Sequence, residues 1–142
     1  MVNAKPKFVD IEEENFGLNP ERVKSEITKN TKAIIPIDYT GQPTDMDEIN
    51  EIAAHHRIPV IEDSAHSLGA TYKDRPVGSL AAMSIFSFHP VKHVAMGEGG
   101  LISTDDDGLA AALRRHSPRC PRSRALGAPR SRRRPPRPRR CP

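Results

Sequence analysis

The chain has 142 residues and a formal charge of +4, but the charge is divided: ten of its 22 Lys and Arg lie in residues 117–142, and all 18 Asp and Glu lie before them. A body of net −6 followed by a tail of +10 excludes a uniformly basic nucleic-acid-binding domain, and no apolar run nears the ~20 residues of a membrane-spanning helix. Met1–Phe8 lacks the apolar stretch of a secretory signal, and both cysteines, Cys120 and Cys141, fall in the tail, so a disulfide scaffold is excluded and the cytoplasm is the expected location.

In chain order, the short apolar run Lys7–Ile11 predicts a strand. Leu18-Asn-Pro-Glu predicts a helix start, with Asn19 as N-cap, Pro20 at the first helical position and Glu21 at the positive end of the dipole. Val23 and Ile27 then share one face. The β-branched run Ala33-Ile-Ile-Pro-Ile37 predicts a buried strand despite Pro36, and Gly41-Gln-Pro-Thr44 a loop. Thr44 or Asp45 caps a second helix, whose Met46, Ile49, Ile52 and Ala53 repeat with helical period. Ile58–Glu62 predicts another buried strand that ends at Asp63, and Met83–Phe88 a further one. Gly97, Gly99 and Gly100 mark a tight loop, Leu101–Thr104 a short strand, and Asp105–His116 an amphipathic helix.

Strands alternating with helices of this length predict an α/β body, residues 1–116, around a mostly parallel sheet. The connection from Phe88 to Leu101 is too short for a parallel crossover, so those two strands are expected to be antiparallel. Residues 117–142 hold ten Arg and seven Pro with Leu126 as the sole large aliphatic residue, a composition that predicts a disordered tail.

Three residue types in the body can carry chemistry. Asp63 stands where a strand ends, the position at which open α/β sheets bind ligands; there it either meets a ligand cation or caps a loop. Lys92, in Ser87-Phe-His-Pro-Val-Lys-His93, is either an amine nucleophile or a solvated surface lysine. Ser87 offers a hydroxyl to a phosphate oxygen. Gly97-Glu-Gly-Gly100 lacks the spacing of a phosphate loop. His55, His56, His66, His89 and His93 lack metal-site spacing and have no cysteine beside them, so no metal is expected.

The runs Ile61-Glu-Asp-Ser-Ala-His-Ser-Leu-Gly-Ala70 and Phe86-Ser-Phe-His-Pro-Val-Lys-His93, the latter followed by Gly97-Glu-Gly-Gly100, occur in order with Ala33–Ile37 and Gly41-Gln-Pro-Thr-Asp-Met46. Over residues 4–116 this set resembles the DegT/StrS-type nucleotide-sugar aminotransferases. The resemblance implies part of the large domain of the fold-type-I transferases that use pyridoxal 5'-phosphate. It further implies a nucleotide-linked keto sugar as substrate, an amino-acid donor such as glutamate, a homodimer, no nucleic-acid partner and a place in polysaccharide biosynthesis. By the same resemblance Lys92 is the lysine that bonds the cofactor aldehyde, Asp63 pairs with the pyridine nitrogen, Ser87 binds the cofactor phosphate and His66 lines the ring. Some relatives carry histidine in place of the lysine and dehydrate their substrates, so Lys92 implies transamination.

Such relatives are much longer than this chain, and their pattern gives way to Arg and Pro after His116, as a shifted reading frame would produce. The expectation is therefore a truncated central fragment, inactive alone. A non-catalytic pseudoenzyme and an anion- or nucleic-acid-binding protein acting through the basic tail are the alternatives.

Overall fold

The computed structural model describes residues 3–116. The tail expected to be disordered, 117–142, lies outside the described residues. Within them the elements are α1 (Pro20–Glu26), a 3-10 turn (Tyr39–Gly41), α2 (Met46–His56), β1 (Ile61–Asp63), β2 (Thr71–Tyr72), β3 (Arg75–Pro76), β4 (Met83–Ser87), β5 (Gly100–Ser103) and α3 (Asp107–His116).

The main sheet has the order β1-β4-β5. β1 runs parallel to β4, with Asp63 opposite Ile85, and β4 runs antiparallel to β5, with Phe86 opposite Leu101. The antiparallel pairing follows the short connection, and the architecture is α/β as predicted. Residues 34–37 extend the sheet beyond β1 as two parallel bridges, Ile34 to Val60 and Ile37 to Asp63, rather than as a continuous strand. The Ile34 N–H donates to Pro59 O (3.1 Å), Ile61 N–H to Ile34 O (2.9 Å) and Asp63 N–H to Pro36 O (2.9 Å). The rung between them is missing because Pro36 has no N–H to give.

The strand predicted over Lys7–Ile11 does not form. The run finds no partner strand: Ile11 bridges only Leu18, the Glu12 N–H donates to Gly17 O (2.8 Å), and Phe8 is 91 % exposed. Alternating apolar residues alone do not make a strand without a neighbour to pair with.

Both helix starts in the first half behave locally. The Asn19 side chain accepts from the Arg22 N–H (2.9 Å) with Pro20 following. Asp45 takes the cap position of α2 without a side-chain bond, and Thr44 is buried. α2 closes on Arg57 in the left-handed region (φ 56°), and the next N–H, of Ile58, donates back to Ala53 O (2.9 Å). Ile58 is thereby drawn into the helix end, so parallel pairing begins only at Val60. At the other end, the Asp106 carboxylate accepts from the Leu109 N–H (2.8 Å), and α3 starts two residues later than predicted.

The passage from β1 to β4 contains no helix. It holds the hairpin β2–β3, whose two turn residues, Lys73 and Asp74, both have positive φ (47° and 63°). The hairpin was not legible in advance, because neither turn position is a glycine. It grips α2: Lys73 and Arg75 both pair with Asp47, and the Asn50 side-chain amide donates to Leu80 O (2.7 Å). Val23, Ile34, Met46, Ile49, Ala53, Val60, Tyr72, Val77, Leu80 and Phe86 form the core, on the side of the sheet where Phe86 clusters with residues of α1 and α2. The opposite side shows Ile35, Ile37, Ile85 and Ile102, between 39 % and 54 % exposed. Among the described residues, nothing buries that face. Gly78 holds the loop before β4 with φ +101°; a Cβ there would come 3.0 Å from the Phe86 ring.

Candidate active site

Asp63 is the last residue of β1, and Ser87 the last of β4. Asp63 lies opposite Ile85, two residues before Ser87, so side-chain alternation puts Asp63, Ile85 and Ser87 on one side of the sheet. That is the uncovered side, and both polar groups stand at the carboxyl ends of neighbouring parallel strands. Lys92 follows in the loop between β4 and β5. There its N–H donates to His89 O (2.9 Å) while Phe88 N–H donates to Gly99 O (2.9 Å) and Met96 N–H to Phe88 O (3.0 Å), which closes the loop base. Lys92 is half-buried, in contrast to the exposed His89 and His93 beside it. The loop geometry accounts for the Gly97 and Gly99 signal: both have positive φ (79° and 149°).

His66 lies in the turn that leaves β1. The turn is held at its start by the Ser64 N–H on Ile85 O (2.9 Å), and the Asp63 carboxylate accepts from the Ala65 N–H (3.2 Å). The His66 ring faces Tyr39 (centroids 6.4 Å apart), which in turn meets Phe16 edge-on at 6.1 Å. The structure thus brings the four sequence-predicted residues to one end of the sheet by topology. Among the described residues, no hydrogen bond or ion pair joins their side chains to one another. The Ser87 hydroxyl accepts a long bond from the His89 N–H (3.4 Å).

Behind this edge lies a buried polar cluster that sequence reading missed. Asp38, Glu62, Ser64, Ser67, Thr44 and Ser84 are each at most 1 % exposed. Ser67 Oγ donates to Asp38 Oδ2 (2.6 Å), and Ser84 Oγ to Glu62 Oε2 (2.5 Å). Glu62 Oε1 and Ser64 Oγ have no protein partner among the described residues. Burial pushes the Asp38 carboxyl up to about 6; the nearby Glu62 and Asp63 carboxylates add to this, while the Ser67 hydroxyl and the Thr44 amide oppose it. The signal available in the sequence was Asp38 directly after Ile37, a carboxylate at the end of an apolar run, as Asp63 is.

Two surface clefts lie elsewhere, one between α1 and α2 beside Glu48, His55 and His56, the other along 10–14; neither includes Asp63, His66, Ser87 or Lys92. The candidate site is instead an open sheet edge. No helix among the described residues is long and apolar enough to cross a membrane.

A model of the DegT/DnrJ/EryC1/StrS aminotransferase family matches residues 1–128, twelve residues further than the motifs alone reach. An uncharacterized protein of Methanocaldococcus jannaschii is 45 % identical over 111 residues, which cover 78 % of this chain and 29 % of that one. Among solved structures, DesI in the presence of its TDP-sugar product is 36 % identical with a TM-score of 0.77, covering 80 % of this chain and 29 % of its own. A GDP-4-keto-6-deoxymannose-3-dehydratase with bound GDP-perosamine is 37 % identical with a TM-score of 0.69, covering 75 % and 28 %. The chain therefore spans less than a third of the length of these proteins.

Proposed function

The chain belongs to the DegT/DnrJ/EryC1/StrS aminotransferase family, and from that premise we propose that it carries the cofactor residues of a pyridoxal-phosphate aminotransferase acting on a nucleotide-linked keto sugar, with an amino acid such as glutamate as donor. The fold and the family are those of pyridoxal-phosphate transaminases. The observation that carries the reading to this chain is the placement of Asp63 and Ser87 on one sheet face at the carboxyl ends of paired parallel strands, with Lys92 in the next loop.

The donor set fits the cofactor's three functional groups: a carboxylate for a protonated ring nitrogen, a hydroxyl for a phosphate, a primary amine for an aldehyde. Pyridoxal phosphate, when bound, would supply an aldehyde carbon to carry the amine from donor to keto sugar and a ring that withdraws electrons from it. The chain supplies the rest. Lys92 Nζ would hold the cofactor through its aldehyde, whose oxygen would leave as water, and as a free amine would take up and return the proton at the reacting carbon. The Asp63 carboxylate favours the protonated ring nitrogen by its charge. Ser87 Oγ donates to a phosphate oxygen, and His66 lines the ring.

Lys92 favours amine transfer over dehydration, since the family resemblance implies histidine at this position in some relatives that dehydrate. The working unit is proposed as a cytoplasmic homodimer in which turnover draws on residues beyond this chain.

The test is therefore attachment rather than turnover. The protein is incubated with pyridoxal phosphate, reduced with borohydride and mapped by peptide. The label is expected at Lys92 above all other lysines, and Lys92→Ala should remove it. Labelling spread evenly over the lysines would refute the reading.

A further inference from the structure

We propose that Asp38 is a positioning residue whose carboxylate fixes the turn from Asp63 to Ser67, and through it the orientation of Asp63 and His66. The proposal rests on the reading above only in taking those two residues to face the cofactor.

Three segments converge on Asp38. Its N–H donates to Asp63 O (3.1 Å), directly across the parallel bridge between Ile37 and Asp63. Its own carbonyl accepts from the Gly41 N–H (3.2 Å), which closes the Tyr39–Gly41 turn. Its carboxylate, fully buried, accepts from Ser67 Oγ (2.6 Å) and, at longer range, from the Thr44 N–H (3.4 Å). The turn that carries His66 is thus held at both ends: by the Ser64 N–H on Ile85 O and by the Ser67 hydroxyl on Asp38.

Among the described residues, Asp38 is the sole side chain outside the turn that bonds Ser67. Ser67 is itself 1 % exposed, so a lost partner is not replaced by bulk water. The same anchor sets the wall behind His66. A Cβ at Gly41 would come 3.0 Å from the His66 carbonyl, and Tyr39 faces the His66 ring. Tyr39 follows Asp38 directly, and Gly41 is tied to it through the bond to the Asp38 carbonyl.

A buried carboxylate is expensive unless hydrogen-bonded, and no Lys or Arg among the described residues pairs with this one. The charged groups facing it are Glu62 and Asp63, both acidic. An apolar residue at 38 would avoid that cost while losing the tie to Ser67. The carboxylate is thus explained by what it holds in place rather than by net stabilisation.

The experiment uses Asp38→Ala, which leaves no acceptor for the Ser67 hydroxyl, Ser67→Ala and their combination. Backbone amide exchange is followed in the peptide over residues 63–67, with α2 (Met46–His56) as internal reference. Each single change is expected to raise exchange in the turn about tenfold, a factor worth ~1.4 kcal/mol and typical of one lost hydrogen bond. The double change should add nothing further, since both remove one bond. An unchanged turn, an equal rise in α2, or additive effects would each overturn the proposal.

A second readout is the dissociation constant for pyridoxal phosphate, which Asp38→Ala should raise while labelling at other lysines stays constant. If Lys92 shows no preference for the cofactor yet the turn responds, the functional reading falls and the tie stands. If Lys92 is preferred and the turn does not respond, the tie falls alone.

Discussion

Asp38 makes stability depend on pH in a direction opposite to that of an ordinary ion-paired carboxylate. Its carboxyl has a pKa near 3.8 in the unfolded chain and about 6 in the folded one. Between these values the folded chain still holds a proton that the unfolded chain has released. The contribution is therefore full below about pH 4, falls as pH rises through 6, and then levels off. At ~1.4 kcal/mol per pKa unit the loss has a ceiling near 3 kcal/mol, and solvent screening brings the working figure to about 2 kcal/mol.

Asp38→Asn stays uncharged at every pH and removes this term. Every other residue is common to both proteins, so the difference between variant and wild type reports on position 38. The assay is urea unfolding of both proteins from pH 4 to pH 7.5. With a slope of ~1–3 kcal/mol per molar urea, the variant's midpoint should gain about 1 M on the wild type across that range. A difference between the two proteins that is constant with pH would refute the argument that burial of Asp38 raises its pKa.

Further predictions concern the two faces of the sheet and the buried cluster. Ile49→Ala, at a fully buried core position, should cost about 2–5 kcal/mol in urea unfolding, whereas Ile85→Thr on the uncovered face should cost well under half as much; equal costs would mean that something covers that face in solution. Ser84→Ala takes away the hydroxyl that bonds Glu62 and should cost about 1–3 kcal/mol, read as a lower urea midpoint. Asn19→Ala should cost about 1 kcal/mol through the lost cap on Arg22, read as a lower urea midpoint with an unchanged slope.

Local rules account for what was legible in the sequence. Asn19 with Pro20, and the period of Met46, Ile49 and Ala53, act over one or two helical turns, so α1 and α2 could be read from neighbours alone. The end of β1 at Asp63, and that of β4 one residue short of the predicted Phe88, followed from apolar runs stopping at polar residues. Membership of the aminotransferase family was carried by motifs in those same runs, and the match to residues 1–128 bears it out.

Pairing was decided elsewhere. Lys7–Ile11 has strand-like residues but no partner, and Pro36 interrupts a ladder whose other side lies 26 positions on. The β2–β3 hairpin needed positive φ at Lys73 and Asp74, which no glycine announced. Ser67 reaches Asp38 across 29 positions, a separation at which no periodicity or capping rule operates. Side-chain pattern sets which face a segment prefers; only the folded chain brings to that face the donor, acceptor or apolar neighbour that makes the preference count.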